Sequence, residues 1–309
     1  MASTVSANKD GFTMPAATRL GHVHLTVANL ERQIAFYTQV LGFKVHKHEG
    51  TEAVLGTEAE VLLRLTEMPK AQRVQQGSGM YHFAILYPSR KALARAIARV
   101  FALRYPNSPT DHGVSMTTYL DDLEGNNIEL YIRTLNRAIF ETVDGEMRVR
   151  YADGRIGTGR DPLDLEDLFS ELEEGEPLDG VLPEGTCIGH LHLYVSSLES
   201  SMNFYHNLLG FEKGPMIWNF RMGEVGLDAQ QPHVIAFNTW KGEGIPPTPA
   251  NALGIRYFTI VLPYTDELHR AVEHLQAAGL PTEPGPEGVW VHDPSHISLV
   301  LTEQMLPVN

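Results

Sequence analysis

Ile188-Gly-His190-Leu-His192-Leu-Tyr-Val195 restates Leu20-Gly-His22-Val-His24-Leu-Thr-Val27 almost position for position. Both stretches alternate as half-buried strands do. After the earlier one, Asn29 is set to cap a helix whose stripe is Leu30, Ile34, Tyr37 and Leu41, stopped at Gly42-Phe43. After the later one, Ser197, Leu198, Met202, Tyr205, Leu209 and Gly210-Phe211 repeat that pattern. In the first copy three short strands follow, at Phe43 to His48, Glu52 to Gly56 and Val61 to Leu65. The unit is therefore strand, helix, then three strands.

Two further copies have the same grammar. One opens at Tyr81 to Leu86, with Ser89 as cap, Leu93, Ile97 and Val100 as the helix stripe, and later strands at Thr117 to Leu120 and Asn127 to Ile132. The other opens at Ile255 to Leu262, continues through a helix at Asp266 to Ala278 ended by Gly279, and closes with strands at Val289 to Val291 and Ile297 to Leu301. One βαβββ module cannot cover its own sheet face, so copies recurring at about 50 to 60 residues or more must pair. The expected class is α+β, four βαβββ modules paired into two barrel-like halves. The expected divisions are a disordered tail at 1–18, modules at 19–79, 80–133, 188–253 and 254–309, and a linker at 134–187. The linker is much longer than ordinary connections, and its acidic stretch suggests a short helix packing Leu165, Leu168, Phe169 and Leu172.

Composition narrows the function. A net charge of -14 over 309 residues argues against a nucleic-acid binder, which needs basic patches. The single Cys187 makes no internal disulfide, and no signal-like segment or apolar run of roughly 20 residues is present, so a cytoplasmic, membrane-free protein is expected. A homo-oligomer is left open.

The chemistry concentrates between Gly79 and Tyr131. Gly79-Met-Tyr-His82-Phe-Ala-Ile puts a histidine on a short apolar strand, and Gly125-Asn-Asn-Ile-Glu129-Leu-Tyr131 puts a glutamate on another. Between them lies Asp111-His112-Gly-Val-Ser-Met-Thr-Thr-Tyr119. Glu129 is flanked by Ile128 and Leu130, where a buried carboxylate without a partner is costly, which favours a metal ligand. His24 and His192 share a face with His22 and His190, and structural roles are favoured for both.

These elements resemble the vicinal oxygen chelate (glyoxalase/bleomycin resistance/dioxygenase) superfamily, and in particular its catechol 2,3-dioxygenase, or type I extradiol dioxygenase, branch. The resemblance spans all four modules and weakens in the linker. It implies ligands from the first strands of two paired modules and the last strand of one. The first-strand position holds His22, His82, His190 and Tyr257, and the last-strand position holds Glu129 in the second copy and Ser298 in the fourth. The fourth copy lacks both, a departure from four-module extradiol enzymes. The implied metal set is His82, Glu129 and His190, with His22 as the alternative to His190. Pro232-His233-Val-Ile-Ala-Phe237 supplies the second-sphere histidine that the resemblance calls for, whereas the first copy has Val61-Leu-Leu-Arg-Leu65 there. The second and third copies are therefore expected to pair around the metal, and the first and fourth to form a metal-free half.

Two histidines and a carboxylate suit Fe(II), with Mn(II) as the alternative. By the same resemblance His233 assists oxygen activation and acid-base chemistry, and His112 and Tyr119 deprotonate a small aromatic diol before its reaction with O2. Other functions in the superfamily are a glyoxalase-like or thiol-transferring metal enzyme and a non-catalytic aromatic-binding or resistance protein. The former wants a second carboxylate on the partner strand, and Val234 to Phe237 offers none.

Overall fold

The structure is a computed structural model describing residues 11–143 and 146–308. The first copy comprises β1 (Arg19–Val27), α1 (Leu30–Gln39), β2 (Lys44–Glu49), β3 (Glu52–Gly56) and β4 (Val61–Glu67). The second comprises β5 (Gly79–Leu86), α2 (Arg90–Ala102), β6 (Ser108–Asp111), β7 (Ser115–Asp121) and β8 (Asn127–Arg133). An insertion follows with β9 (Ala138–Val143), β10 (Glu146–Tyr151), β11 (Ile156–Gly157), β12 (Asp161–Pro162) and α3 (Leu165–Phe169). The third copy has β13 (Cys187–Tyr194), α4 (Leu198–Met202), β14 (Glu212–Ile217), β15 (Met222–Gly226) and β16 (Ile235–Asn238). The fourth has β17 (Gly254–Val261), α5 (Thr265–Ala277), β18 (Glu283–Gly285), β19 (Gly288–His292) and β20 (Ser298–Thr302).

The strand order is β18-β19-β20-β17-β1-β4-β3-β2 in one sheet and β12-β6-β7-β8-β5-β13-β16-β15-β14 in another, with a small sheet β11-β10-β9. The first joins copies one and four and the second joins copies two and three, the pairing that the histidine pattern predicts. Both sheets are open, with edge strands at each end, so the halves are not closed barrels. By contact density the described chain forms two compact units, residues 11–26, 71–81 and 190–306 in one, and 27–70, 82–189 and 307–308 in the other. Strands β1, β5 and β13 each contribute residues to both.

Each unit is fastened by the same device. The Asn29 side chain accepts from the Arg32 N–H at 2.9 Å and Ser89 accepts from Ala92, so α1 and α2 begin where the sequence puts their caps. The buried face of α1 includes Gln33 and Phe36 beside Leu30 and Tyr37, a wider stripe than the apolar spacing alone suggests. Tyr37 donates to Asp122 at 3.0 Å in one unit, and Tyr205 donates to Asp293 at 3.0 Å in the other. Each aspartate also ties its own turn: Asp122 accepts from the Glu124 and Asn126 N–H groups, and Asp293 from those of Ser295 and Ile297. The third-copy helix differs from a plain α-helix, because Asn203–Leu208 forms a π turn in which both Phe204 and Tyr205 are buried.

Two expectations need correction. The tail reading of 1–18 fails from residue 11 onward: Phe12 and Met14 are buried, and the Met14 N–H donates to the Gly210 carbonyl at 2.8 Å, since two apolar side chains give this stretch something to bury. Residues 1–10 lie outside the described residues. The segment 134–187 is more than a linker with a helix, because β9 and β10 pair as an antiparallel hairpin, with Ala138 opposite Tyr151 and Phe140 opposite Val149. Its core is Ala138, Val149 and Tyr151, with Val114 packed against them. The acidic helix buries Leu168 fully and turns Phe169 onto Phe101, with ring centroids 6.1 Å apart.

Candidate metal centre

Strands β5 and β8 run parallel, with Ala84 opposite Glu129 and His82 opposite Asn127. Side chains repeat every two residues along a strand, so His82, two before Ala84, lies on the same face as Glu129. His82 Nε2 is 3.2 Å from Glu129 Oε2, and both side chains are almost wholly buried. Ile128 and Leu130 point the other way into fully buried core, which locks the register that presents Glu129.

His190 follows Gly189 on β13. A Cβ at Gly189 would lie 2.1 Å from the Tyr131 hydroxyl, so the close approach at this point requires glycine. Burial pushes the Tyr131 phenol well above its ordinary pKa, and it stays neutral. His82, Glu129 and His190 each offer one ligand atom, and these atoms all lie within 4.8 Å of one another. A buried carboxylate facing two imidazoles is a donor set that suits a divalent ion, and charge neutralisation by that ion would offset the burial of Glu129.

His22 does not join this group. Its Nε2 lies 3.4 Å from the Tyr257 hydroxyl and 3.9 Å from Glu287, and Tyr257 in turn donates to Glu287. At the position corresponding to Glu129, Ser298 hydrogen-bonds His292 at 3.1 Å. A phenol and a hydroxyl replace imidazole and carboxylate, and protein hydrogen bonds replace ligation. His24 packs its ring on Tyr257 with centroids 4.7 Å apart. His192 bonds the Asn238 amide at 2.9 Å and lies against Tyr81 and Trp240. His24 acts as a packing group, and His192 both packs and hydrogen-bonds.

The residues expected to handle protons fall in two clusters. Tyr119 is directly opposite Glu129 across the β7–β8 ladder, with its ring centroid 5.6 Å from that of His82. Its hydroxyl is 2.9 Å from His112 Nε2. The His233 ring meets His190 edge to face with centroids 4.5 Å apart, and His233 Nδ1 is 2.5 Å from Glu224 Oε2. Glu224 was missed in the sequence: Val234 to Phe237 holds no acid, and the carboxylate arrives from β15, where Glu224 pairs with Ala236. Only the antiparallel register of β15 on β16 signals it.

A family profile matches residues 19–130 and 187–295. The chain belongs to the Glyoxalase/Bleomycin resistance protein/Dioxygenase superfamily. Within this superfamily it is 36% identical over 282 residues to a protein of Bacillus subtilis (strain 168) named catechol-2,3-dioxygenase, covering 90% of this chain and 94% of that one. Among solved structures of the superfamily fold, it is similar to a putative dioxygenase from Bacillus subtilis, with TM-score 0.62 and 12% identity over 94% of this chain and 86% of that one. It is also similar to glyoxalase I from Zea mays, with TM-score 0.53 and 16% identity over 92% of each chain. At such identities these two show the fold alone. Among the described residues no helix is long and apolar enough to cross a membrane.

Proposed function

We propose that this protein is an Fe(II)-dependent extradiol dioxygenase that opens the ring of a small catechol-type diol with O2. The observation that carries the reading is the buried cluster of His82, Glu129 and His190, in a chain 36% identical along nearly its whole length to a protein named for that reaction. His82, Glu129 and His190 are the proposed ligands, and two imidazoles with one carboxylate leave a face open for a chelating substrate. Fe(II) held there supplies the redox chemistry that lets O2 react with an electron-rich ring; Mn(II) is the alternative ion.

The surrounding residues supply proton handling. Glu224 is an acceptor when ionised, so His233 Nδ1 carries the hydrogen between them and Nε2 is the atom that exchanges a proton. Tyr119, bonded to His112, is the phenol that meets the substrate hydroxyl and takes its proton onward. With a single cysteine, Cys187, a reducing cytoplasmic location is proposed as well.

The test is metal analysis of protein purified without added metal, with oxygen uptake on catechols after anaerobic Fe(II) loading. The expected result is iron in the wild type and in His22→Ala, loss of iron in His82→Ala, Glu129→Ala and His190→Ala, and a yellow ring-opened product. Iron retained in His190→Ala but lost in His22→Ala would overturn the ligand set. No oxygen uptake with any catechol would overturn the reaction.

A further inference from the structure

We propose that residues 134–143 and 146–163 form a collar that fixes the ring proton of His112 on Nδ1 and thereby aims the hydroxyl of Tyr119, a positioning role that rests on the ring-cleavage reading above. The segment lies outside the residues matched by the family profile, and a linker reading gives it no chemistry. It nevertheless grips the His112 loop from several sides. The Thr134 side chain donates to the Gly113 carbonyl at 2.8 Å, and its N–H donates to the Val114 carbonyl at 2.7 Å. Arg137 holds Asp111 through its two terminal guanidinium nitrogens, at 3.3 and 2.7 Å. Strand β12 pairs with β6, Asp161 opposite Asp111. Val149 comes so close to Gly113, whose φ is +76°, that a Cβ there would lie 2.4 Å from its Cγ1.

The decisive contact is between the Gly159 carbonyl and His112 Nδ1, 2.5 Å apart. A carbonyl only accepts, so Nδ1 carries the hydrogen, and in the neutral ring Nε2 is then the acceptor. The bond of 2.9 Å from Tyr119 to His112 Nε2 therefore runs with the phenol donating. This direction sets the chemistry. As a diol O–H bond breaks toward Tyr119 Oη, the O–H bond of Tyr119 breaks toward His112 Nε2, so one proton passes to the ring, the phenol is regenerated and the substrate keeps the electron pair. In the opposite tautomer His112 would donate to Tyr119, and no proton could be accepted along this path. Gly159 is a positioning residue, acting through its backbone.

The test reads the tautomer directly, by two-bond nitrogen–proton correlation on full-length, metal-free protein carrying 15N-histidine, with His112 assigned by its loss in His112→Gln. The expected result in the wild type is the neutral Nδ1–H form. In Gly159→Ala, strained at φ +74° and with a new Cβ 3.0 Å from Val149 Cγ2, a mixture of tautomers is expected. Arg137→Met releases Asp111 by an independent route and is expected to change the spectrum in the same direction. With Fe(II) and a catechol, both variants are expected to lose about tenfold in kcat with KM within about twofold, since a proton-transfer group typically contributes 10²- to 10⁴-fold and is weakened here, not removed. An Nε2–H tautomer in the wild type overturns the proposal even if neither variant folds, and so does an unchanged tautomer in folded variants. Because this measurement needs neither metal nor substrate, an inactive wild type with the Nδ1–H form would count against the dioxygenase reading and leave the collar standing.

Discussion

At the scale of single residues, the pair of Glu224 and His233 shows how a site acquires a polarity. An imidazole bonded through Nδ1 to a carboxylate is held in one orientation and one tautomer. Glu224→Gln keeps the shape and removes the charge. It is expected to lower kcat about tenfold while iron content stays at the wild-type level, as partners that orient a catalytic ring commonly cost 10- to 100-fold. His233→Gln is expected to cost more, and the double variant no more than His233→Gln alone, because the two residues act as one unit. Steady-state kinetics on the four proteins checks this; fully additive losses would mean that Glu224 acts independently of His233. Tyr257 makes the converse point, since a phenol in the first-strand position turns a metal-binding pattern into a hydrogen-bonded core with His22 and Glu287.

At the scale of elements, the tyrosine–aspartate clasp ties a helix to a turn in each unit. Burial raises the Asp293 pKa to about 6, only partly offset by hydrogen bonds from Ile297, Tyr205 and Ser295. A carboxyl whose folded pKa is raised contributes stability that is fully present below its unfolded value near 3.8 and is lost as pH rises through about 6. Asp293→Asn keeps an acceptor for the turn and cannot ionise. The melting temperature of the wild type relative to Asp293→Asn is therefore expected to fall between pH 4 and 7, by the equivalent of roughly 2–3 kcal/mol; calorimetry across that range checks it, and parallel pH profiles would show that Asp293 does not titrate there. The same scale explains the insertion. Its hairpin is locally paired but reads in the sequence only as linker, and its grip on His112 depends on Arg137, Gly113 and Gly159 meeting residues far from them in sequence.

At the scale of the whole molecule, a metal that binds only the folded arrangement stabilises it by mass action. At a free-metal concentration about 100 times Kd, the expected gain is roughly 2.7 kcal/mol. Chelation is therefore expected to lower the melting temperature by several degrees in the wild type and in His22→Ala, and to have no effect in Glu129→Ala. Differential scanning fluorimetry with and without chelator checks this, and an equal shift in Glu129→Ala would mean that the ion binds elsewhere.

The sequence by itself determined the four modules, the caps at Asn29 and Ser89, and the presence of one intact histidine–glutamate copy, because periodicity, capping and residue chemistry are local properties of the chain. It also predicted the pairing of copies through what the fourth copy lacks, Tyr257 and Ser298 standing where ligands would be. Only the tertiary structure decided that His22 turns to Tyr257, that Glu224 meets His233, and that the expected linker holds His112. Each of these depends on strand register and close backbone approach between distant segments, and no short-range pattern in the sequence encodes them.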